Sequence, residues 1–250
     1  MVERIAMSLS QSMIQLVVFD MAGTTVDDQS VVKDCFLAAA DKTGLVAPIE
    51  RVVGMMGWAK QKVFATLWAD QLGVDHPDYL NRVQQSYEQF QAILDEHYRT
   101  QPVRPTEGCL ETFSWLKSVG IKIALTTGFY REVTNIILHR LGWDEGLDQT
   151  YIGSDASLIQ ASITPSEIYG NEGRPAPFMI QKAMYRLGVT DPQRVVAIGD
   201  TPADLAAGMN ANCWSLGVTT GSHTRSQLLE YPHHGLLDSL RDLKEMMINP

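Results

Sequence analysis

Three short apolar runs in this chain each stop on a polar, glycine-containing motif, and that pattern leaves few folds open. Met13–Phe19 runs into Asp20, Ile121–Leu125 into Thr126-Thr127-Gly128, and Arg194–Ile198 into Gly199-Asp200. Cys213–Val218, followed by Thr219-Thr220-Gly221, is a fourth candidate of the same kind. Apolar residues without strict alternation predict strands covered on both faces, as in a parallel sheet. Helix-period patterns lie between the runs. Glu107–Val119 puts Leu110, Phe113, Trp115, Leu116 and Val119 on one broad apolar face, and Gly120 stops it. Arg131–Leu141 and Pro177–Leu187 stop likewise at Gly142 and Gly188. Pro202–Asn210 is shorter. Strand and helix in alternation predict an open α/β sheet with crossover connections.

The rhythm breaks between Val31 and Thr100. Helix-period patterns cover Val31–Thr43, Lys60–Leu72 and Pro77–Tyr98, with no convincing strand among them, and Arg99–Pro105 reads as a return linker. The expected organisation is a core built from residues 1–28 and 101–250, with a helical domain, 29–100, inserted after the first strand. A chain of 250 residues is long enough for both.

Composition narrows the function. With 45% hydrophobic and 20% charged residues, no long stretch is disordered by default. The net charge of −9 argues against a nucleic-acid groove, which draws on surplus Lys and Arg. A small phosphorylated substrate needs only a few local positive groups and a metal. Cys35, Cys109 and Cys213 lie far apart without metal-ligand spacing and read as core or near-core thiols of a reducing compartment. Met1–Gln15 lacks a basic-then-apolar signal profile, and no apolar run approaches the roughly 18 residues that span a bilayer, so the expected location is cytoplasmic, away from membranes. Tyr231–Gly235, with its two histidines, reads as a surface turn, and the 11 methionines as core filler.

In open α/β sheets the ligand crevice lies outside the carboxyl ends of the strands, so Asp20, Thr127 and Asp200 are expected to converge. A carboxylate at Asp20 can attack phosphorus to give an acyl phosphate, or can simply cap the segment that follows. Gly199-Asp200-Thr201-Pro202-Ala203-Asp204 adds two acids four residues apart. Beside Asp20 they would repel one another unless a cation sat among them, and Mg2+ is the usual choice where phosphate oxygens complete the shell. Asp204 also fits the first turn of a helix, where the dipole favours it. Thr127 and Gly128 offer a hydroxyl and a backbone N–H at a helix start, a generic phosphate site. Arg174, pinned between Gly173 and Pro175 before a helix, can clamp a phosphate or lie on a surface loop.

Together and in this order, these motifs resemble those of the haloacid dehalogenase superfamily. Asp20-Met21-Ala22-Gly23-Thr24-Thr25 and Gly173-Arg174-Pro175-Ala176-Pro177 look more narrowly like its phosphonatase (phosphonoacetaldehyde hydrolase-like) branch. The likeness covers most of the chain, including Gly199–Leu205 and the tail from Gly217 to Leu243. It implies a Rossmann-like core with an inserted helical cap. It implies Asp20 as nucleophile, and Mg2+ held by Asp20, the Ala22 carbonyl, Asp200 and a supporting Asp204. Thr127, Gly128 and Arg174 are then the phosphate site, with Gly23 and Met56 beside the substrate. Met56-Gly57-Trp58-Ala59-Lys60 matches the family's Met-Gly-x-x-Lys segment, which implies that Lys60 forms a Schiff base with the substrate carbonyl. Read without the likeness, Lys60 is a solvated residue in a first helical turn.

Superfamily phosphatases carry a second Asp two residues after the nucleophile, which protonates the departing oxygen. Here Ala22 stands in that place. A C–P bond has no leaving oxygen; it needs an electron sink on the departing carbon, which an iminium on Lys60 supplies. Lys60 would have to be neutral part of the time, with Lys62 one neighbour placed to lower its pKa. The branch's histidine, tyrosine and cysteine are replaced by Val63, Phe129 and Ser30, and the 142–172 segment is longer than the usual connection. These departures move the expected substrate from phosphonoacetaldehyde to a related 2-oxoalkylphosphonate. A phosphate monoesterase of the same superfamily and, from another class, a non-catalytic ligand-binding protein are the competing readings. The likeness also implies a homodimer through the first insert helix, with Val31, Val32, Phe36 and Leu37 on its contact face.

Overall fold

The structure, a computed structural model, describes residues 14–248. Its centre is a parallel sheet of six strands: β1 (Leu16–Phe19), β2 (Lys122–Thr126), β3 (Ala161–Ile163), β4 (Val195–Gly199), β5 (Trp214–Val218) and β6 (Gly235–Leu237). Their order is β3-β2-β1-β4-β5-β6. From β1 in the middle the strands are added outward to β3, and the chain then returns to the other side of β1 for β4. That reversal opens the crevice at the carboxyl ends of β1, β2 and β4. Alternate residues of β1 feed opposite sides of the sheet. Val17 and Phe19 join the core formed with Phe113, Leu116, Val133 and Ile137, whereas Leu16 and Val18 join Met179, Ile180, Ala183 and Ala207. Burial on both faces explains why the strand shows no apolar–polar alternation.

The helices of the core are α5 (Cys109–Ser118), α6 (Arg131–Leu141), α7 (Phe178–Arg186), α8 (Pro202–Asn210), α9 (Arg225–Leu228) and α10 (Asp242–Ile248). Those between β1 and the core's return are α1 (Val31–Thr43), α2 (Ile49–Gly54), α3 (Lys60–Leu72) and α4 (Tyr79–Thr100). The expected spans agree to within a few residues, and α1, α3, α6 and α8 agree at both ends. The expected first strand begins at Met13, which lies outside the described residues. The sequence pattern misses β3, β6, α2, α9 and α10. The two strands have three residues each and the helices six, four and seven, too short for a period to emerge.

The 142–172 segment has a structural use. It carries β3, which extends the sheet beyond β2. Arg131 ties it down, with a guanidinium N–H 2.7 Å from Glu167 Oε2, another 2.8 Å from the Ser162 carbonyl, and its plane over the Tyr151 ring. The helical insert is held by an aromatic cluster. Phe36 stacks on Phe64 with ring centroids 4.1 Å apart, and Phe90 closes over both. Val32 and Phe36 are thus buried within the chain and are not available to a second copy as the sequence suggested; Val31 and Leu37 remain partly buried. All three cysteines are free and buried. His234 accepts a hydrogen bond from the Ser215 N–H at 2.9 Å, which makes the Tyr231–Gly235 turn a structural one. No helix among the described residues is long and apolar enough to cross a membrane.

Candidate active site

Strand register brings the motif residues together. Phe19 is level with Leu125 of β2 and Ile198 of β4, so the next residues on all three strands emerge side by side. The Asp20 N–H donates to the Ile198 carbonyl at 2.8 Å, and the Thr25 hydroxyl donates to the Asp20 carbonyl at 2.8 Å. Thr127 follows β2, and its hydroxyl accepts the Phe129 N–H at 3.2 Å. Arg174 arrives from the loop between β3 and α7. It is 3% exposed, so the surface-loop alternative is excluded.

Arg174 spans two acids. Its guanidinium lies 2.6 Å from Asp20 Oδ1 and 2.7 Å from Asp204 Oδ1, and also donates to the Thr126 hydroxyl at 3.3 Å. One carboxylate oxygen from each of Asp20, Asp200 and Asp204 lies within 4.8 Å of the others. Asp200 is oriented from the β5 side: the Ser222 N–H and hydroxyl both donate to its Oδ2, at 2.7 and 2.8 Å. The Thr24 hydroxyl reaches Oδ1 at 3.4 Å. Asp204 forms a capping box with Thr201 at the start of α8, in keeping with its place in a first helical turn, and it stands beside Asp20 and Asp200. Gly23 sits behind Asp200 rather than on the cavity wall; a Cβ there would meet Asp200 Oδ2 at 2.8 Å.

Of the three buried carboxylates only Asp20 and Asp204 pair with the guanidinium, which leaves an excess of negative charge out of water within the cluster. Burial pushes the Asp20 carboxyl well above its usual range; Arg174 pulls it down, and Asp204 and Asp200 push it further up. Burial, then Asp204, carries Asp200 up to about 6, against the two Ser222 hydrogen bonds. A hard divalent cation would relieve both by favouring the ionised forms. The donor set, all carboxylate oxygen and clustered on one side of the crevice, fits Mg2+. Ala22, part of the cavity wall, adds a methyl group and no acid.

The insert forms the opposite wall. Met56, Gly57 and Lys60 face Asp20, Thr127, Gly128, Arg174 and Asp200 across one cavity. The walls meet through two glycines. Gly57 has φ +85°, and a Cβ on it would stand 2.3 Å from the Thr201 hydroxyl. A Cβ on Gly128 would meet the Trp58 carbonyl at 2.9 Å. Only glycine tolerates such an approach. Lys60, at the start of α3, is 5% exposed, and its ammonium donates to the Trp58 carbonyl at 3.3 Å. Burial lowers its pKa to about 8; Asp28, Asp20 and Asp200 oppose that and Arg174 adds to it. Lys62 instead sits over the Trp58 indole. The solvated-surface alternative for Lys60 therefore fails.

Sequence reasoning missed Asp28, Ser222, Thr24 and Thr201 as parts of this site. Ser222 and Thr24 lie close to recognised motifs, and only the fold gives them direction. Asp28 looks like an ordinary acid before α1, yet it lines the same cavity as Lys60.

Comparison with known proteins agrees with this geometry. Residues 14–212 match the model of the haloacid dehalogenase-like hydrolase family. A phosphonoacetaldehyde hydrolase of Bacteroides fragilis is 28% identical over 249 residues, covering 94% of this chain and 89% of that protein. A bifunctional phosphonoacetaldehyde hydrolase/aminoethylphosphonate transaminase of Clostridioides difficile is 31% identical over 220 residues; the match covers 84% of this chain but only 32% of that longer protein. Among solved structures, a phosphonoacetaldehyde hydrolase-like protein from Oleispira antarctica superposes with a TM-score of 0.75 at 18% identity, over 94% of this chain and 91% of the other. A parallel sheet with its acids at the strand ends and a family match over most of the length lead to one assignment: the chain belongs to the haloacid dehalogenase-like hydrolases.

Proposed function

We propose that this hydrolase cleaves the C–P bond of a 2-oxoalkylphosphonate, passing through a Schiff base on Lys60 and a phosphoryl group on Asp20. The observation that carries this reading is a lysine buried in the same cavity as Asp20, with its pKa lowered to about 8. An ester phosphatase has no use for a neutral amine there, and Ala22 gives it no acid for a leaving alcohol. The names of the relatives support the same substrate class.

In this mechanism the Thr127 hydroxyl, the Gly128 N–H and Arg174 hold the phosphonate oxygens. Asp20, the Ala22 carbonyl and Asp200 would hold Mg2+, with Asp204 behind them, and the ion would supply charge neutralisation for the dianionic phosphonate. Lys60 adds to the carbonyl, and loss of water leaves an iminium. Asp20 then attacks phosphorus. The C–P electron pair flows into the carbon skeleton, giving an enamine, and the iminium nitrogen takes up the charge. Burial of the cavity keeps bulk water from the iminium until phosphoryl transfer is complete.

The deciding experiment is borohydride reduction in the presence of phosphonoacetaldehyde and, separately, 2-oxopropylphosphonate, with phosphate release measured in Mg2+. The expected result is a reduced adduct on Lys60 and loss of turnover in Lys60→Ala. Normal turnover by Lys60→Ala would overturn the proposal. Efficient hydrolysis of a sugar phosphate, indifferent to Lys60, would establish the monoesterase reading instead.

A further inference from the structure

Schiff-base chemistry moves protons as well as electrons. The ionisable groups on the cavity wall are Asp20, Asp28, Lys60, Arg174 and Asp200. Asp20 and Asp200 belong to the acid cluster, and Arg174 is paired with Asp20 and Asp204. That leaves one carboxyl group uncommitted. Val63 and Phe129, both buried, carry no proton to exchange.

We infer that Asp28 is the general acid–base group for the chemistry at Lys60. The inference rests on the proposed function and adds a residue to it. Asp28 closes the turn before α1: its carbonyl accepts the Val31 N–H at 2.7 Å and its Oδ1 accepts the Val32 N–H at 3.1 Å. One carboxyl oxygen is thereby fixed, while Oδ2 has no hydrogen-bond partner among the described residues. Asp28 and Lys60 face one cavity, and each side chain's hydrogen bond goes to main chain rather than to the other. Electrostatics agrees: burial raises the Asp28 carboxyl above its usual range, and its charge acts on Lys60 more strongly than that of any other group. A second polar group waits nearby. The Tyr98 hydroxyl, on a cavity it shares with Asp28, is buried and has no hydrogen-bond partner among the described residues.

The proton ledger closes. The Asp28 carboxylate takes a proton from the Lys60 ammonium, and the neutral amine attacks the carbonyl carbon, forming the C–N bond. A proton moves from nitrogen to the new alkoxide, giving a carbinolamine. Asp28 then returns its proton to that hydroxyl, the C–O bond breaks, water leaves, and the nitrogen lone pair closes the iminium. Asp28 ends as the carboxylate it began as. After C–P cleavage the enamine carbon takes a proton from water, which forms the C–H bond and restores an iminium; addition of the resulting hydroxide gives the carbinolamine, whose C–N bond breaks to release the carbonyl product and Lys60.

The test compares wild type with Asp28→Asn, which keeps an acceptor for the Val32 N–H, and with Asp28→Glu, which keeps the acid. Expected for Asp28→Asn are a fall in kcat of about 10²- to 10⁴-fold, the range for a lost acid–base group, and little change in KM. Borohydride trapping on Lys60 should slow with kcat, the pH profile should lose one limb, and Asp28→Glu should recover part of the rate. The charges that bear on that profile are Asp27, Asp34 and Lys60 around Asp28, and Asp20, Arg174 and Asp200 around Lys60. If wild type traps an adduct and Asp28→Asn traps it equally fast, the inference is overturned while the proposed function stands. If wild type traps none, both fall. Asp28→Ser, which can also cap α1, carries the same comparison if Asp28→Asn does not fold.

Discussion

In the proposed function, Ala22 is the residue whose smallness decides which bond can break. It lines the cavity two positions from Asp20 and offers no proton to a leaving oxygen. Ala22→Asp should therefore raise phosphate-monoester hydrolysis by at least about tenfold from whatever low level wild type shows, since a positioned acid is worth about 10²–10⁴ in rate. The same change should depress phosphonate cleavage, and phosphate release from both substrate types measures it. Lys60 provides a second handle. A group with its pKa near 8 is roughly one-tenth neutral at pH 7, against about one part in 2,500 for a free lysine. With Asp28 taking the proton of the Lys60 ammonium, kcat/KM should fall as pH rises through about 8, whereas in Asp28→Asn, which needs an amine already neutral, it should rise through about 8 and level off; limbs centred near 10 would show an ordinary solvated amine. Asp20, Thr127, Arg174 and Asp200 were legible in the sequence because each follows a strand or precedes a helix in a recognisable motif. Asp28, Ser222 and Thr24 were not, because their roles depend on side-chain direction, which spacing does not encode.

At the scale of elements, the contact between the insert and the core depends on two glycines. Gly57→Ala would place a methyl group against Thr201 and hold a φ of +85° that costs an L-residue about 1–2 kcal/mol. The expected outcome is a fall in kcat/KM of tenfold or more with only a modest drop in Tm, since the strain falls at the junction rather than in either core. Phe36→Ala acts differently. It removes a stacked, fully buried ring from the insert and should cost about 3–5 kcal/mol of stability, read as a lower denaturant midpoint. Helices of thirteen residues such as α1 and α3 were readable end to end because several turns repeat one apolar face. The edge strands β3 and β6 were not: three residues give no period, and their pairing partners lie far away in sequence.

Across the whole molecule, the net charge of −9 and the buried acid cluster point the same way: the fold is complete in shape but not balanced in charge at its centre. Mg2+ should raise Tm, by the equivalent of about 2.7 kcal/mol at a hundred times its Kd. Asp200→Asn should lose most of that gain while keeping its far-UV circular dichroism. An equal Tm rise in both proteins would show that the ion binds elsewhere. Sheet order has a further consequence, for how the chain is made. β1 is synthesised before both of its partners, residues 122–126 on one side and 195–199 on the other. On the ribosome, the most apolar strand therefore waits about 10–35 s for its second neighbour at ordinary elongation rates of roughly 5–20 residues per second. The insert can close its own aromatic cluster during that delay. The catalytic crevice, however, cannot exist until β4 emerges, so the enzyme is expected to depend on chaperones and to refold best at low concentration.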